Sequence, residues 1–69
     1  MKISARNQIK GTVVKIIPGA VNSEVIIKTN GGDILTAIIT RESIQNLELA
    51  EGKPVYAVIK ASDVMLAVD

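Results

Sequence analysis

At Asn30-Gly31-Gly32-Asp33 the sequence carries its clearest hairpin signal, between two runs rich in isoleucine and valine. Glycine adopts the positive φ angles that tight hairpin turns require, so this stretch predicts a turn between antiparallel strands. The run before it predicts a strand over residues 20–29, and the run after it predicts a strand from Ile34 to about Ile39.

Outward toward the amino terminus, Gln8 to Ile17 predicts a first strand that ends at the turn residues Pro18-Gly19. Gly11 within this strand indicates a bend or bulge of the kind that small barrels need. The alternation divides the strand into two faces, of which one carries Ile9, Gly11, Val13 and Ile17 and the other carries Lys10, Thr12, Val14 and Ile16.

Toward the carboxyl terminus, Thr40 is predicted to cap a short helix that has Ile44 and Leu47 on its apolar side. Two further strands are predicted over residues 55–60 and 64–68. Five strands with one helix between strands 3 and 4 follow the order of an OB-type barrel. The sequence therefore predicts an all-β fold, a five-stranded antiparallel OB-type barrel, as a single domain over residues 1–69.

The composition favours β-structure and self-association. Isoleucine and valine supply 19 of the 69 residues, and these β-branched side chains suit a pleated sheet. Cysteine and histidine are absent, so disulfides and zinc or haem sites are excluded as stabilising devices. Val25-Ile26-Ile27 and Ala37-Ile38-Ile39 are apolar on both faces, whereas a barrel interior uses one. The second face predicts a subunit interface, unless a helix or terminus covers it.

The amino-acid composition argues against several classes of function. Without histidine or cysteine there is no ready base or nucleophile, so we expect no enzymatic activity. Single-stranded nucleic acid needs stacking aromatics and a basic groove, but Tyr56 is the only aromatic residue and the net charge is +1. Neither a signal peptide nor a membrane span is apparent, and we expect an intracellular protein that does not contact nucleic acid or membrane.

Two short polar stretches, Ser4-Ala5-Arg6-Asn7 and Lys60-Ala61-Ser62, stand out from this aliphatic sequence. They combine hydroxyls, two cations and small residues that let backbone N–H groups approach a ligand. Together with Thr40 they could surround a small anion, whose lost hydration must be replaced by hydrogen bonds. The alternative is purely structural, with polar residues at strand ends, a surface lysine and a threonine that only caps a helix.

The sequence also resembles the molybdenum-pterin-binding proteins, called Mop proteins or molbindins, which are built on a TOBE-type OB domain. The resemblance covers nearly the whole chain through separated motifs in the same order. These motifs are Ser4-Ala5-Arg6-Asn7-Gln8, Lys10-Gly11-Thr12-Val13, Gly19-Ala20-Val21-Asn22, Thr36-Ala37-Ile38-Ile39-Thr40, Glu42-Ser43 and Val58-Ile59-Lys60-Ala61-Ser62-Asp63-Val64-Met65.

This resemblance implies a cytoplasmic protein that binds molybdate, and tungstate, as the free oxyanion for storage or homeostasis. It implies a homo-oligomer, a hexamer arranged as a trimer of dimers, with the oxyanion at subunit interfaces. No organic cofactor and no direct protein ligand to the metal are expected. One site would take Ser4, Ala5 and Arg6 from one subunit, completed by residues that partly come from a neighbour, namely Thr40, Lys60, Ala61 and Ser62. A second site, near the three-fold axis, would use Gly19, Ala20, Val21 and Asn22.

A different class of function also stays open. TOBE-type domains occur fused to transcription regulators and transporter ATPases, where ligand occupancy alters an assembly. The chain could therefore be a molybdate-responsive regulatory module that acts through a protein partner, instead of a storage protein.

Overall fold

A computed structural model covers residues 1–69 and shows an all-β chain with one short α-helix. Neighbouring strands are antiparallel in the order β3-β2-β1-β4, and the sheet curls into a half-barrel. No helix is long and apolar enough to span a bilayer. The elements, in chain order, are β1 (Asn7–Ile17), β2 (Asn22–Thr29), β3 (Ile34–Thr40), α1 (Arg41–Asn46), β4 (Pro54–Ile59) and a 3-10 turn (Ala61–Asp63).

The hairpin between β2 and β3 turns at the predicted stretch. The backbone N–H of Thr29 donates to the carbonyl of Asp33 at 2.7 Å, and the N–H of Asp33 donates to the Thr29 hydroxyl at 3.0 Å. Gly32 has a φ of 97°, which glycine adopts without steric cost. The predicted turn is therefore confirmed, and it fixes the register that places Asn22 opposite Thr40.

The central strand β1 carries a bulge at Val14, where the pairing with β2 shifts between Val13 and Lys15. A bulge inserts one unpaired residue and so exchanges the two faces of the strand beyond it. Ile16 consequently packs against the core, whereas Ile17 is exposed. The predicted faces, with Ile17 beside Val13, are wrong beyond this point because strict alternation was assumed.

Gly11 is needed for a close approach of strands, and the predicted bulge at this position is displaced to Val14. A Cβ atom at residue 11 would lie 2.6 Å from the carbonyl oxygen of Lys28 and 2.9 Å from Cγ2 of Ile27. Gly11 is itself buried between β2 and β4, which both pair with it. The absence of a side chain thus lets β1 bond to a strand on each side.

The core of the half-barrel is thin. Three hydrophobic side chains are buried, namely those of Val13, Val25 and Ile27. Seven partly buried side chains pack around them: Ile16, Leu35, Ala37, Ile39, Ile44, Leu49 and Val55. Domains of this length bury a smaller fraction of their surface than larger ones, and such a core stabilises the chain only marginally.

The predicted fifth strand over residues 64–68 is absent, and the sheet has four strands. A strand exists only when a neighbouring strand satisfies its backbone groups, whatever its side-chain pattern. The N–H groups of Met65 to Asp69 donate to no backbone carbonyl of the chain. The apolar pattern that suggested a strand is present in the sequence, but residues 64–68 pair with no strand of the sheet.

Boundaries elsewhere differ from the prediction by one or two residues. β2 begins at Asn22, since Ala20 and Val21 form a bend before it. β1 and β4 each begin one residue earlier than predicted, and Lys60 caps the 3-10 turn instead of ending a strand.

Helix α1 begins as predicted. The side chain of Thr40 accepts a hydrogen bond from the backbone N–H of Ser43 at 3.0 Å, which is the usual geometry of an N-cap. Ile44 packs against the core, but Leu47 is exposed at the end of the helix. The ammonium group of Lys53 donates to the carbonyls of Leu47 and Glu48, at 2.6 and 3.1 Å, and so satisfies the helix end.

The close approach at Gly11 gives a stability prediction. We expect Gly11→Ala to lower the free energy of unfolding by about 1–3 kcal/mol, because the new methyl group must displace the backbone of β2. Thermal unfolding at matched chain concentration measures the change. The control is Gly31→Ala, where the nearest atoms lie 3.9 and 4.0 Å from a Cβ. If Gly11→Ala lowers the free energy of unfolding no more than the control does, the backbone of β2 moves aside without a measurable loss of stability.

Candidate functional site

The pairing of β1 with β4 brings the two polar stretches together. Asn7 lies opposite Ile59, and the Asn7 side-chain amide donates to the Ile59 carbonyl at 3.2 Å. Ser4–Arg6 immediately precede β1, and Lys60–Ser62 immediately follow β4. Because the strands are antiparallel, the start of one and the end of the other meet at the same edge of the sheet.

These stretches line one open pocket of about 280 Å³. Its six lining residues are Ser4, Ala5, Arg6, Lys60, Ala61 and Ser62. They are six of the seven residues that the sequence predicted for the first oxyanion site. The structure places them within a single chain, so the contact between the two stretches does not require a neighbouring subunit.

The pocket is rich in hydrogen-bond donors. Arg6 supplies a planar guanidinium, Lys60 an ammonium group, and Ser4 and Ser62 supply hydroxyls. The backbone N–H groups of all six lining residues have no acceptor within the chain. No carboxylate lines the pocket, so nothing negative competes for these donors. Chemically, the arrangement suits a small anion that offers only acceptors.

Two side-chain amides hold the first stretch in place. Besides the bond from Asn7 to β4, the Gln8 side chain donates to the carbonyl of Ala5 at 2.9 Å. This second bond fixes the chain direction just before β1, where Ser4–Arg6 pair with no neighbouring strand. Sequence analysis found Asn7 and Gln8 only as part of a motif, since their acceptors are carbonyls that no residue pattern reveals.

Thr40 does not line this pocket. It ends β3, its hydroxyl accepts from Ser43 and donates to the Ser43 hydroxyl at 2.9 Å, and it pairs with Asn22 across the sheet. Within one chain Thr40 therefore lies beside the residues predicted for the second site, not with those of the first. Its structural role as a helix cap is satisfied without a ligand.

The second predicted set forms the bend between β1 and β2. The N–H of Gly19 donates to the hydroxyl of Ser23 at 3.2 Å, whereas the N–H groups of Ala20 and Val21 have no acceptor in the chain. A Cβ at residue 19 would collide with the carbonyl oxygen of Asn22, so the tight bend requires glycine. The two free backbone donors, those of Ala20 and Val21, thus directly precede Asn22 at the start of β2.

Sequence analysis missed that Arg41 belongs to this neighbourhood. The backbone N–H of Arg41 donates to the carbonyl of Val21 at 3.0 Å, so a cationic residue adjoins the bend. The signal was available, because counting outward from the β2–β3 turn pairs Asn22 with Thr40 and brings Arg41 next to Val21. The structure shows no group of three acidic, cysteine or histidine residues placed to hold a metal cation.

Comparison with known proteins identifies the family to which this chain belongs. The TOBE domain family matches residues 3–66. Molybdenum-pterin-binding protein 3 of Clostridium pasteurianum is 50% identical over 66 residues, which cover 96% of this chain and 97% of that protein. The chain belongs to the TOBE domain family, among the molybdenum-pterin-binding proteins. The family resemblance drawn from the motifs is therefore confirmed.

Two solved structures of relatives share the fold of this TOBE domain. MopII from Clostridium pasteurianum superimposes with a TM-score of 0.92 at 43% identity, over 97% of this chain and all of that one. ModG, a cytoplasmic molybdate-binding protein solved with molybdate bound, gives a TM-score of 0.84 at 51% identity. That match covers 96% of this chain and 53% of ModG. The OB-like architecture is confirmed, with four strands in the chain instead of five.

Membership of this group also settles the broad class of activity. TOBE domains of the molybdenum-pterin-binding type are binding proteins, not enzymes. The prediction that this chain is not an enzyme is confirmed on that ground.

The hydrogen bond of Thr40 gives a prediction that tests its role as a helix cap. We expect Thr40→Ala to lower the free energy of unfolding by about 1 kcal/mol, because the Ser43 N–H loses its acceptor. Thr40→Ser is the matched control, since serine caps equally well and should unfold like the unmodified chain. Thermal unfolding measures both. Equal stability of the alanine variant would show that the cap contributes nothing.

Proposed function

We propose that this protein binds molybdate, and tungstate, as free oxyanions in the pocket between Ser4–Arg6 and Lys60–Ser62. The observation that carries the proposal is the composition of that pocket, which gathers two cations, two hydroxyls and free backbone N–H groups without a carboxylate. Relatives of this chain are named for binding molybdenum-pterin or molybdate. Together these favour a tetrahedral oxyanion as the ligand, with no organic cofactor and no bond from a protein atom to the metal.

The protonation state of the ligand supports this choice. Molybdate and tungstate are fully ionised at neutral pH and offer only acceptors, so every donor of the pocket can be used. Phosphate carries a proton near neutral pH, and in a pocket without a carboxylate that proton has few acceptors. A polar hydrogen left without a partner costs about 1–3 kcal/mol when it is buried. A closed pocket of this composition therefore disfavours hydrogen phosphate relative to molybdate.

A neighbouring subunit completes the site in this proposal. Within one chain Arg6 and Lys60 are exposed, and the pocket is open to solvent. A dianion is held more strongly when water is excluded, because charge–charge attraction grows as the effective dielectric constant falls. Thr40 of a neighbouring subunit is our candidate for closing the pocket, since the chain's own Thr40 lies elsewhere.

Self-association is supported by the apolar surface of the single chain. Ile38 is 66% exposed on the outer face of β3, and Ile9, Tyr56 and Val58 are exposed on β1 and β4. Soluble proteins rarely leave a large apolar patch in water. We take the assembly to be a hexamer, a trimer of dimers, in which the bend Gly19–Asn22 forms the second oxyanion site near the three-fold axis.

Storage or homeostasis of molybdate in the cytoplasm is the role that we assign. The ModG relative is described as cytoplasmic, and the site contains donors for holding an anion but no group for transforming it. A storage protein needs many sites per mass of protein, which a small chain with an oxyanion site in every copy provides.

Isothermal titration with molybdate tests the proposal. We expect Arg6→Ala and Lys60→Ala each to weaken binding roughly 10- to 100-fold, because each removes a charge-assisted hydrogen bond of about 1.5–3 kcal/mol. Far-UV circular dichroism should be unchanged, since both side chains are exposed.

The matched control is Lys15→Ala, which removes the same charge from an exposed position on β1 outside the pocket. It should bind molybdate like the unmodified chain. Equally weakened molybdate binding in all three variants would show that only the net charge of the chain matters. Normal binding by both pocket variants would refute the proposed site. Asn22→Ala in the same titration should lower only the number of anions bound per chain.

A further inference from the structure

The side-chain amides of Asn7 and Gln8 make two hydrogen bonds of the same kind beside the donor-lined pocket. The Asn7 amide donates to the carbonyl of Ile59 at 3.2 Å, and the Gln8 amide donates to the carbonyl of Ala5 at 2.9 Å. Neither Asn7 nor Gln8 lines the pocket. Any effect of these two residues on a bound anion must therefore pass through the carbonyls that they hold.

Each of these carbonyls belongs to a peptide unit whose N–H group comes from a cationic residue of the pocket. The carbonyl of Ile59 shares a planar peptide unit with the N–H of Lys60, and the carbonyl of Ala5 shares one with the N–H of Arg6. All peptide bonds are trans, so the carbonyl and the N–H of one unit point in opposite directions. A hydrogen bond that holds the carbonyl therefore also fixes the direction of the N–H, and both N–H groups have no acceptor within the chain.

The start of β1 reaches both walls of the pocket, which are Ser4–Arg6 and Lys60–Ser62. Successive side chains of a strand point to opposite faces, so Asn7 and Gln8 extend in different directions. Asn7 crosses to the last residue of β4, which lies opposite it in the ladder, whereas Gln8 bonds a residue three positions earlier in the chain. One pair of neighbouring residues thus orients a peptide of each wall.

We propose that Asn7 and Gln8 are positioning residues that aim the backbone N–H groups of Lys60 and Arg6 at the anion. By fixing the distance between these donors, they set the preference of the site for molybdate over sulfate. This inference rests on the proposed function, and it adds residues that select the anion without touching it.

Sulfate is the competitor that the composition of the pocket does not reject. Like molybdate, it is a tetrahedral dianion at neutral pH and offers only acceptors, so charge and protonation state treat the two anions alike. Sulfate is the smaller of the two, and donors held at the spacing of molybdate leave it with longer hydrogen bonds. A donor–acceptor distance beyond about 3.2 Å weakens the bond. The spacing of the donors is therefore the property that can separate these anions.

Few other hydrogen bonds restrain the two walls. The bond from Gln8 is the only hydrogen bond that joins residues 4–6 to the rest of the chain. The carbonyls of Lys60 and Ala61 accept only from the N–H groups of Asp63 and Val64, at 2.9 and 3.4 Å, within the 3-10 turn itself. Without the two amide bonds, the peptides could turn and let the donors close around a smaller anion. A rigid arrangement of donors is what selective binding requires.

Titration with molybdate, and competition of sulfate against molybdate, test the inference in Asn7→Ala and Gln8→Ala. We expect the unmodified chain to prefer molybdate, and the ratio of the two affinities to fall roughly 3- to 10-fold in each variant, as the loss of one hydrogen bond implies. The ratio is informative because a general loss of stability weakens both anions alike. Gln45→Ala is the control, since it removes an exposed amide that makes no hydrogen bond, and it should keep the ratio.

Backbone amide resonances of an isotopically labelled chain separate the two positioning residues. Molybdate should shift the amide signals of both Arg6 and Lys60 in the unmodified chain. Asn7→Ala should diminish the shift at Lys60 and leave that at Arg6, and Gln8→Ala should do the converse. A merely structural role would change both signals together in both variants.

The outcomes distinguish this inference from the proposed function. An unchanged affinity ratio in both variants, with molybdate still bound, would overturn the positioning role and leave the oxyanion site standing. Amide shifts that diminish together in both variants would overturn it as well. Absence of molybdate binding by the unmodified chain would overturn the proposed function and this inference with it. If far-UV circular dichroism shows that Asn7→Ala does not fold, Gln8→Ala decides alone, since Gln8 is exposed.

Discussion

The antiparallel pairing of β1 with β4 is the interaction on which the remaining structure depends. β1 is bonded on its other side to β2, so it is the strand that holds the half-barrel together. Gly11 makes this double pairing possible by letting the Lys28 backbone approach. The same ladder, ending at Asn7 and Ile59, brings two stretches more than fifty residues apart in sequence to one edge. The pairing of the two strands and the donor-lined pocket therefore have one cause.

Most of the fold follows from local sequence rules. The turn at Asn30–Asp33, the helix cap at Thr40 and the first four strands depend on glycine geometry, side-chain oxygen chemistry and alternation, all of which act over a few residues. The faces of β1 beyond Val14 could not be predicted, because this bulge lies at a valine and has no glycine to mark it. The fifth strand failed for a different reason, since its sequence pattern is present but residues 64–68 pair with no strand of the sheet.

The pocket was predicted in composition but not in arrangement. Hydroxyls, cations and small residues indicated Ser4–Arg6 and Lys60–Ser62 as candidates for an anion site. The family motifs favoured this interpretation over the purely structural one, in which these residues are only polar strand ends. Whether the stretches meet within one chain depends on the register of β1 and β4, which residue types do not encode. Thr40 shows the converse difficulty, because one hydroxyl can cap a helix or bind a ligand, and only position separates the two.

The central claim is that a pocket containing only donors, created by strand pairing, holds a tetrahedral oxyanion. Anomalous diffraction at the tungsten or molybdenum absorption edge, from crystals grown with the oxyanion, locates the metal directly. Our account predicts a peak between the guanidinium of Arg6 and the ammonium of Lys60 in every subunit. Full occupancy elsewhere with no peak in that pocket would contradict it.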